Sequence, residues 1–119
     1  MTQTICLAIP LTPGATDDDR DEMLACWRGD RSEQHRASRA RHGITREATW
    51  IQQTPAGDVA NVLLESDDLA ASLFGMATSQ EPFDVWFRGH VLAVHGVDLA
   101  AGLTLPELIL DYRSEGSGS

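Results

Sequence analysis

The clearest hydrophobic pattern of the chain lies in residues 81–98, where apolar side chains recur at helical spacing. The stripe also carries His90, Pro82 suits a first-turn position and Gly96 can end a helix, so the pattern predicts a helix from Pro82 to Gly96. A stripe of this kind is typical of core helices and of helices that cover a pocket. Its apolar members are Phe83, Trp86, Phe87, Val91 and Val94.

The distribution of apolar residues predicts four strands elsewhere in the chain. Residues 3–11 are apolar on both faces, and residues 44–56 are rich in β-branched and aromatic side chains. Residues 59–66 place apolar side chains on one face and a mixture on the other, and turn chemistry around Gly57 makes them the antiparallel neighbour of the preceding strand. Residues 107–112, with the sequence ELILDY, predict the final strand.

The segment between the first two strands predicts one long helix from Thr16 to about His42. Thr16 and Asp19 resemble the start of a capping box, and Gly43 supplies the residue that follows the helix. Gly29 lies where the inward face changes character, which favours a kink or a close contact. That face is apolar at first and polar afterwards, because Met23, Leu24 and Trp27 precede Arg31, Gln34, His35 and Ser38. A helix of this kind leaves the domain or lines a wet cavity.

With a short helix after Asp67 or Asp68, the predicted elements follow the order βαββαβ. This order predicts an α+β, ferredoxin-like fold, in which a four-stranded antiparallel sheet carries the helices on one face. Because the first and last strands are apolar on both sides, the other face needs a cover, and a homodimer with two sheets face to face is its simplest source. We expect one domain over residues 1–113 and a flexible tail over residues 114–119.

The composition excludes several classes of partner. The 119 residues carry a formal net charge of −9, which argues against nucleic acid. No apolar run is long enough to span a membrane and no basic segment precedes the first apolar run, so we expect a cytoplasmic protein without a membrane partner. Cys6 and Cys26 are too few for a disulfide framework, and we expect both to be reduced and buried.

All nine basic residues are arginine, and six of them lie between residues 28 and 46. A run of acidic residues precedes them. A helix dipole favours this order, with acidic side chains near the start of the helix and basic ones near its end. A patch that binds an anion is the alternative.

The spacing of the histidines argues against a metal site. His90 and His95 would point about 140° apart on a helix, and His35 and His42 would lie roughly 10 Å apart, so neither pair can share one ion. His90 is either a core histidine with one hydrogen bond or a general acid or base in a pocket.

If the polar half of the long helix faces the central hairpin, His35 would meet Glu47; otherwise Glu47 faces solvent. Aromatic side chains in such a pocket would stack on a planar ligand, and the charged ones would fix or activate it. We therefore predict a site with His90, His35 and Glu47 as catalytic residues, and with Trp86, Phe83, Phe87, Arg31, Trp50 and Gln53 as ligand-binding residues. We expect neither a metal nor a cofactor.

A set of short motifs runs through nearly the whole chain. They comprise Thr45-Arg46-Glu47, Trp50, Gln52 to Pro55, Gly57-Asp58, Glu65, Asp68, Pro82 to Asp84, Trp86-Phe87 and His95 to Asp98. In this pattern the chain is similar to an uncharacterised family with PFDxWF and HGVD motifs. It also resembles the dimeric α+β barrel superfamily, which includes antibiotic-biosynthesis monooxygenase-type proteins and haem-degrading monooxygenases.

This resemblance implies a ligand pocket between the sheet and the helices of each subunit. The haem-degrading members use an Asn of the first strand together with a Trp and a His of the second long helix. Trp86 and either His90 or His95 match two of these positions, but the first strand has no Asn, and its nearest amide is Gln3.

The leading hypothesis is a small-molecule binding protein or a cofactor-independent enzyme that acts on an aromatic or polyketide-like ligand. The reaction would be of the oxygenase, isomerase or cyclase type. The alternative is a non-catalytic dimer that binds a ligand or has a structural role, and a haem-binding or haem-degrading protein is the third hypothesis.

Overall fold

The computed structural model describes residues 1–115 and has a mixed α+β architecture, as the sequence predicts. Within these residues, three strands and four helices are followed by a short 3-10 turn. In chain order the elements are β1 (Gln3–Pro10), α1 (Thr16–Arg28), α2 (Ser32–Arg41), β2 (Ile44–Thr54), β3 (Gly57–Ser66), α3 (Leu69–Thr78), α4 (Pro82–His95) and the turn Leu99–Ala101. None of these helices is long and apolar enough to cross a membrane.

The strands form an antiparallel sheet in the order β1, β3, β2. The predicted hairpin of β2 and β3 is confirmed, and β3 lies at the centre of the sheet. Ile5 and Glu47 pair with Leu64 from opposite sides, and this register defines the inner face, which packs against the helices. The inner face consists of Ile5, Leu7, Ile9, Glu47, Thr49, Ile51, Ala60, Val62 and Leu64.

The main core lies between the inner face and α3. Its buried members are Ile44, Leu64, Leu69 and Met76, against which Ile5, Val62 and Leu73 pack. The helix can fold back over the sheet so soon after β3 because Asp68 caps it, accepting a hydrogen bond of 3.1 Å from the N–H of Ala71. This cap, one of the two that the sequence suggests, contributes about 1 kcal/mol to the stability of such a helix.

The opposite, outer face of the sheet has an apolar centre that the helices of residues 1–115 leave uncovered. Its apolar members are Cys6, Ala8, Ala48, Trp50, Val59 and Leu63. Trp50 keeps 52% of its surface exposed, and Cys6 is exposed as well. The expectation that both cysteines are buried is therefore wrong for Cys6.

The predicted long helix is in fact two helices, because the first helix ends at Gly29. This residue adopts φ −121° and ψ −151°, and a Cβ at its position would lie 2.8 Å from the Cα of Ala25. The predicted close contact is thus confirmed, but it ends α1. The predicted capping box is wrong, since Thr16 donates a hydrogen bond of 2.6 Å to Asp58. Trp27, predicted on the inward face, is 66% exposed.

Both predicted glycine terminations are confirmed. Gly43 follows α2 with a φ of 73°, and Gly96 follows α4 with a φ of 70°. Residues other than glycine rarely adopt this left-handed backbone conformation, so the two glycines fix where the helices end.

The predicted final strand does not pair with the sheet of its own chain. Residues 107–112 lie outside any helix or strand, and Leu108, Ile109 and Leu110 are 74%, 87% and 80% exposed. Within residues 1–115 the sheet therefore has three strands and not the predicted four. The predicted tail, residues 114–119, lies outside the described residues from position 116 onwards.

Gly75 of α3 lies close to His42, which follows α2, and so offers a test of the packing between these two helices. A Cβ on Gly75 would lie 2.6 Å from Nδ1 of His42, whose Nε2 is fixed by a hydrogen bond of 2.8 Å to Asp84. We expect Gly75→Ala to lower the free energy of unfolding by roughly 1–3 kcal/mol, since His42 has no freedom to move aside.

Gly89→Ala is the matched control, because a Cβ there meets nothing within 4 Å. Its better helix propensity should raise the free energy of unfolding by roughly 0.5–1 kcal/mol. Urea denaturation of both variants measures the two changes. A stabilising Gly75→Ala would contradict the contact with His42.

Candidate functional site

A cavity of about 400 Å³ lies between the inner face of the sheet and helices α1, α3 and α4. Small-molecule sites commonly measure about 300–1,000 Å³ and are mostly apolar with a few polar groups. Apolar side chains from the sheet and helices make most of its wall, including Leu7, Val62, Leu73, Met76, Phe87 and Val91. The segment from Leu99 to Leu105 contributes a further part of the wall.

A buried carboxylate and an imidazole meet in the wall of this cavity. Nε2 of His90 lies 2.8 Å from Oδ1 of Asp19, and the two side chains are only 8% and 5% exposed. Asp19 belongs to the first turns of α1, where the helix dipole stabilises a negative charge. His90 comes from the middle of α4, so the packing of α1 on α4 brings the pair together.

Packing also holds the imidazole of His90 in place, since Trp86 packs on it and Arg31 packs on Trp86. The ring of Trp86 lies almost parallel to it, with an interplanar angle of 15° and 5.4 Å between ring centroids. The guanidinium carbon of Arg31 lies 3.6 Å from the centroid of Trp86, on which it makes a cation–π contact. Arg31 is itself fixed by a hydrogen bond of 2.8 Å to Glu22. The orientation of His90 is therefore set by packing as well as by Asp19.

Glu47 is a second buried carboxylate in the wall of the cavity. It accepts hydrogen bonds from Arg39 at 2.8 and 3.3 Å and lies 2.7 Å from Nε2 of His35. Burial would raise the pKa of Glu47, but the hydrogen bond to His35 and the charge of Arg39 outweigh it and lower the pKa to about 2. Glu47 is therefore ionised at neutral pH and poorly suited to act as a base.

This depressed pKa predicts a specific acid sensitivity. Because the pKa of Glu47 falls from 4.5 to about 2 on folding, its ionisation stabilises the fold above pH 4.5 and loses this effect as the pH falls towards 2. The contribution is on the order of 3 kcal/mol. In denaturation curves between pH 5 and 2, Glu47→Gln should lose less stability than the wild type. Glu33→Gln, which changes an exposed residue of α2, should retain the wild-type slope.

Asp84 forms a separate hub away from the cavity. It accepts a hydrogen bond of 2.5 Å from Ser38 and one of 2.9 Å from Arg41, and it lies 2.8 Å from Nε2 of His42. Burial would raise the pKa of Asp84, but these contacts and one from Ser79 hold it well below its usual range. The hub joins α2 to the first turn of α4 and thereby positions the helix that carries His90.

The chain matches no protein-family model, and it has no significant match among curated proteins.

The structure brings some of the predicted site residues together and separates others. His90, Glu47 and Phe87 line the cavity, and His35 meets Glu47 as expected. Phe83 lies behind this wall, 6.0 Å from His35 and 5.5 Å from Trp86 between ring centroids.

Trp50 and Gln53 are not part of the cavity wall. Trp50 lies on the outer face of the sheet, and Gln53 pairs with Asp58 at the exposed hairpin end of β2. The prediction that these two residues share a pocket with His90 does not match their positions. Because successive side chains of a strand point to opposite faces of the sheet, Trp50 lies on the other face from Glu47 and Thr49.

Asp19 is the site residue that the sequence reasoning missed, since it was assigned to a helix cap. A usable signal existed, because Asp19 precedes Met23 by four positions and Cys26 by seven, which places it on the inward stripe of α1. Asp84 was also missed, although its spacing to Phe87 and Val91 puts it on the inward stripe of α4. Acidic residues at core positions of a helix require partners.

The two cysteines contribute no nucleophile to the cavity. Burial raises the pKa of the Cys26 thiol to about 11, although the nearby charge of Arg39 opposes this. A thiol with this pKa stays protonated at neutral pH and is unreactive. Within residues 1–115, no three side chains of the His, Cys, Asp or Glu type are grouped so that they could hold a metal ion.

A wide groove of about 950 Å³ runs along β2 beside α1 and α2. It is distinct from the cavity, although Met23, Glu47 and Thr49 border both. Its lining is largely apolar, with Leu24, Trp27 and Trp50 exposed by 44%, 66% and 52%. Arg20 and Arg36 lie at its border.

Proposed function

We propose that this protein binds an aromatic or polyketide-like small molecule in the cavity and transfers a proton to or from it through His90. The observation that carries the proposal is the buried contact between Asp19 and His90 in the wall of a mostly apolar cavity. An apolar pocket with a few converging polar groups is the usual form of a ligand site.

The arrangement of the pair supports acid/base chemistry. Because Nε2 of His90 contacts Asp19, the proton on this nitrogen is held there and Nδ1 is the nitrogen left for a ligand. The carboxylate also stabilises the imidazolium that forms when Nδ1 takes up a proton. A proton taken from an acidic C–H or O–H beside a carbonyl would leave an enolate or phenolate in the cavity, a first step shared by cofactor-independent oxygenases, isomerases and cyclases.

The walls indicate the class of ligand. Apolar side chains surround the pair, and Phe87 offers an aromatic surface beside it. A flat aromatic ligand would bury its rings against these walls and present one polar group to His90. Glu47 would contribute a fixed negative charge and no proton, since Arg39 and His35 keep it ionised.

The apolar outer face supports the homodimer that the sequence suggests. Trp50, Leu63 and Cys6 lie on this face of a sheet whose helices are all on the other side. We propose that a second copy covers it, with the two sheets face to face, as in a dimeric α+β barrel. The fourth strand of the ferredoxin-like arrangement would be completed in this assembly.

A non-catalytic ligand-binding dimer is the second candidate. It is favoured by the pKa of Glu47, which at about 2 makes this carboxylate too weak a base to serve as one of the three predicted catalytic groups. Both candidates place the ligand in the same cavity, and they differ in whether His90 moves a proton.

A cavity-filling variant tests whether ligand binds there. Ala77 lines the cavity from α3, so Ala77→Leu should fill part of it and raise the free energy of unfolding by about 1–2 kcal/mol. The same variant should weaken the binding of a hydroxyanthraquinone, measured by quenching of tryptophan fluorescence, at least tenfold.

Ala71→Leu is the matched control, because Ala71 is exposed on the same helix. It should change neither stability nor affinity appreciably. Equal affinity of the wild type and Ala77→Leu for the hydroxyanthraquinone would show that this ligand does not occupy the cavity.

A further inference from the structure

The apolar segment 107–112 lacks a partner within the described part of the chain. Leu108, Ile109 and Leu110 project into solvent, and Tyr112 is 71% exposed. The sequence ELILDY has the composition of a strand, yet no strand of residues 1–115 pairs with it. Three consecutive exposed apolar residues of this size indicate a surface that another chain covers.

The free edge of β2 offers the matching surface. β2 pairs only with β3 in the sheet, so the backbone along its other edge is open to a further strand. The groove beside this edge is apolar, which suits a strand with large apolar side chains. At eleven residues, β2 is longer than the six-residue segment and can pair with all of it.

We infer that residues 107–112 of one copy pair as a fourth strand with the free edge of β2 in a second copy, and that the exchange is reciprocal. This inference rests on the proposed homodimer and specifies how its sheets are completed. Charge favours the same edge, because Arg36 borders the groove while Glu107 belongs to the segment.

The exchange has a consequence for the ligand site. The cavity wall from Leu99 to Leu105 leads directly into segment 107–112. Docking of the segment on a second copy fixes the end of this wall, which otherwise ends in an exposed chain. Ligand affinity therefore depends on the assembly, and the cavity is complete only in the dimer.

Proline variants of the full-length chain test the strand pairing. In a strand, the N–H groups of neighbouring residues point to opposite edges, so either Ile109 or Leu110 donates to the partner strand. Proline cannot donate, and Ile109→Pro and Leu110→Pro change residues that are 87% and 80% exposed in the single chain. Glu115→Pro, outside the segment and also exposed, is the control.

We expect sedimentation to give a dimer at micromolar concentration for the wild type and Glu115→Pro. At least one of the two segment variants should raise the dissociation constant of the dimer tenfold or more and weaken hydroxyanthraquinone binding in parallel. Amide hydrogen exchange of the wild-type dimer should show slow exchange at the amides of β2 that face away from β3.

Other results would overturn the inference in distinguishable ways. A dimer that both proline variants leave intact would exclude the exchanged strand while the face-to-face homodimer stands. Protection along the free edge of β1 instead of β2 would show that the segment pairs elsewhere. A wild type that stays monomeric would exclude exchange and homodimer together, and the Ala77→Leu titration would still test ligand binding by itself.

Discussion

Replacing Asp84 with alanine is expected to lower the free energy of unfolding by about 3–5 kcal/mol. The carboxylate is 2% exposed and contacts Ser38 and Arg41 of α2 and His42, which follows this helix. Its removal leaves these three polar groups without this partner. Buried donors that lose an acceptor retain the full cost of their desolvation. Urea denaturation at pH 7 measures the change.

Asp17→Ala is the control for the loss of a carboxylate. Asp17 pairs with Arg20 at 2.6 Å, but its side chain is 89% exposed, and such surface pairs contribute less than about 1 kcal/mol. Similar losses in the free energy of unfolding for Asp84→Ala and Asp17→Ala would show that the contacts of Asp84 do not stabilise the fold.

The second large effect concerns proton transfer to His90. A hydroxyanthraquinone bound in the cavity should ionise at neutral pH, because Nδ1 of His90 can accept its phenolic proton and Asp19 stabilises the resulting imidazolium. The visible absorption of the bound ligand should then show the phenolate band. In His90→Gln this band should fall by at least tenfold, while the affinity changes less.

Two neighbouring residues provide controls for this measurement. His95 also lines the cavity, but its Nδ1 is hydrogen-bonded at 2.8 Å to a neutral partner, the carbonyl oxygen of Pro10, and not to a carboxylate that would stabilise an imidazolium. His95→Gln should therefore keep the phenolate band. Asp19→Asn should weaken the band, whereas Asp18→Asn, a change at an exposed neighbour, should not. Binding without any phenolate band in the wild type would favour the non-catalytic candidate.

The local signals of the sequence predicted most elements well. Asp68, Pro82, Gly43 and Gly96 act through their own backbone or side chain, so their effects can be predicted from position alone. The single long helix was wrong because the close approach at Gly29 breaks the chain after α1.

The candidate site was predictable only in part, since it depends on contacts between distant residues. The stripe of α4 identified His90, but its partner Asp19 is 71 positions away along the chain. Trp50 was misplaced because the face of β2 that meets the helices is fixed by pairing with β3, and a shift of one residue reverses the two faces. The final strand has the expected composition, yet residues 107–112 pair with no strand within residues 1–115.

A crystal structure of the full-length protein with a hydroxyanthraquinone tests the proposed function most directly. The ligand should lie in the cavity between α4 and the inner face of the sheet, with one oxygen within about 2.6–3.2 Å of Nδ1 of His90. A cavity closed by side chains, or a ligand bound only outside it, would contradict a role for Asp19 and His90 in ligand chemistry.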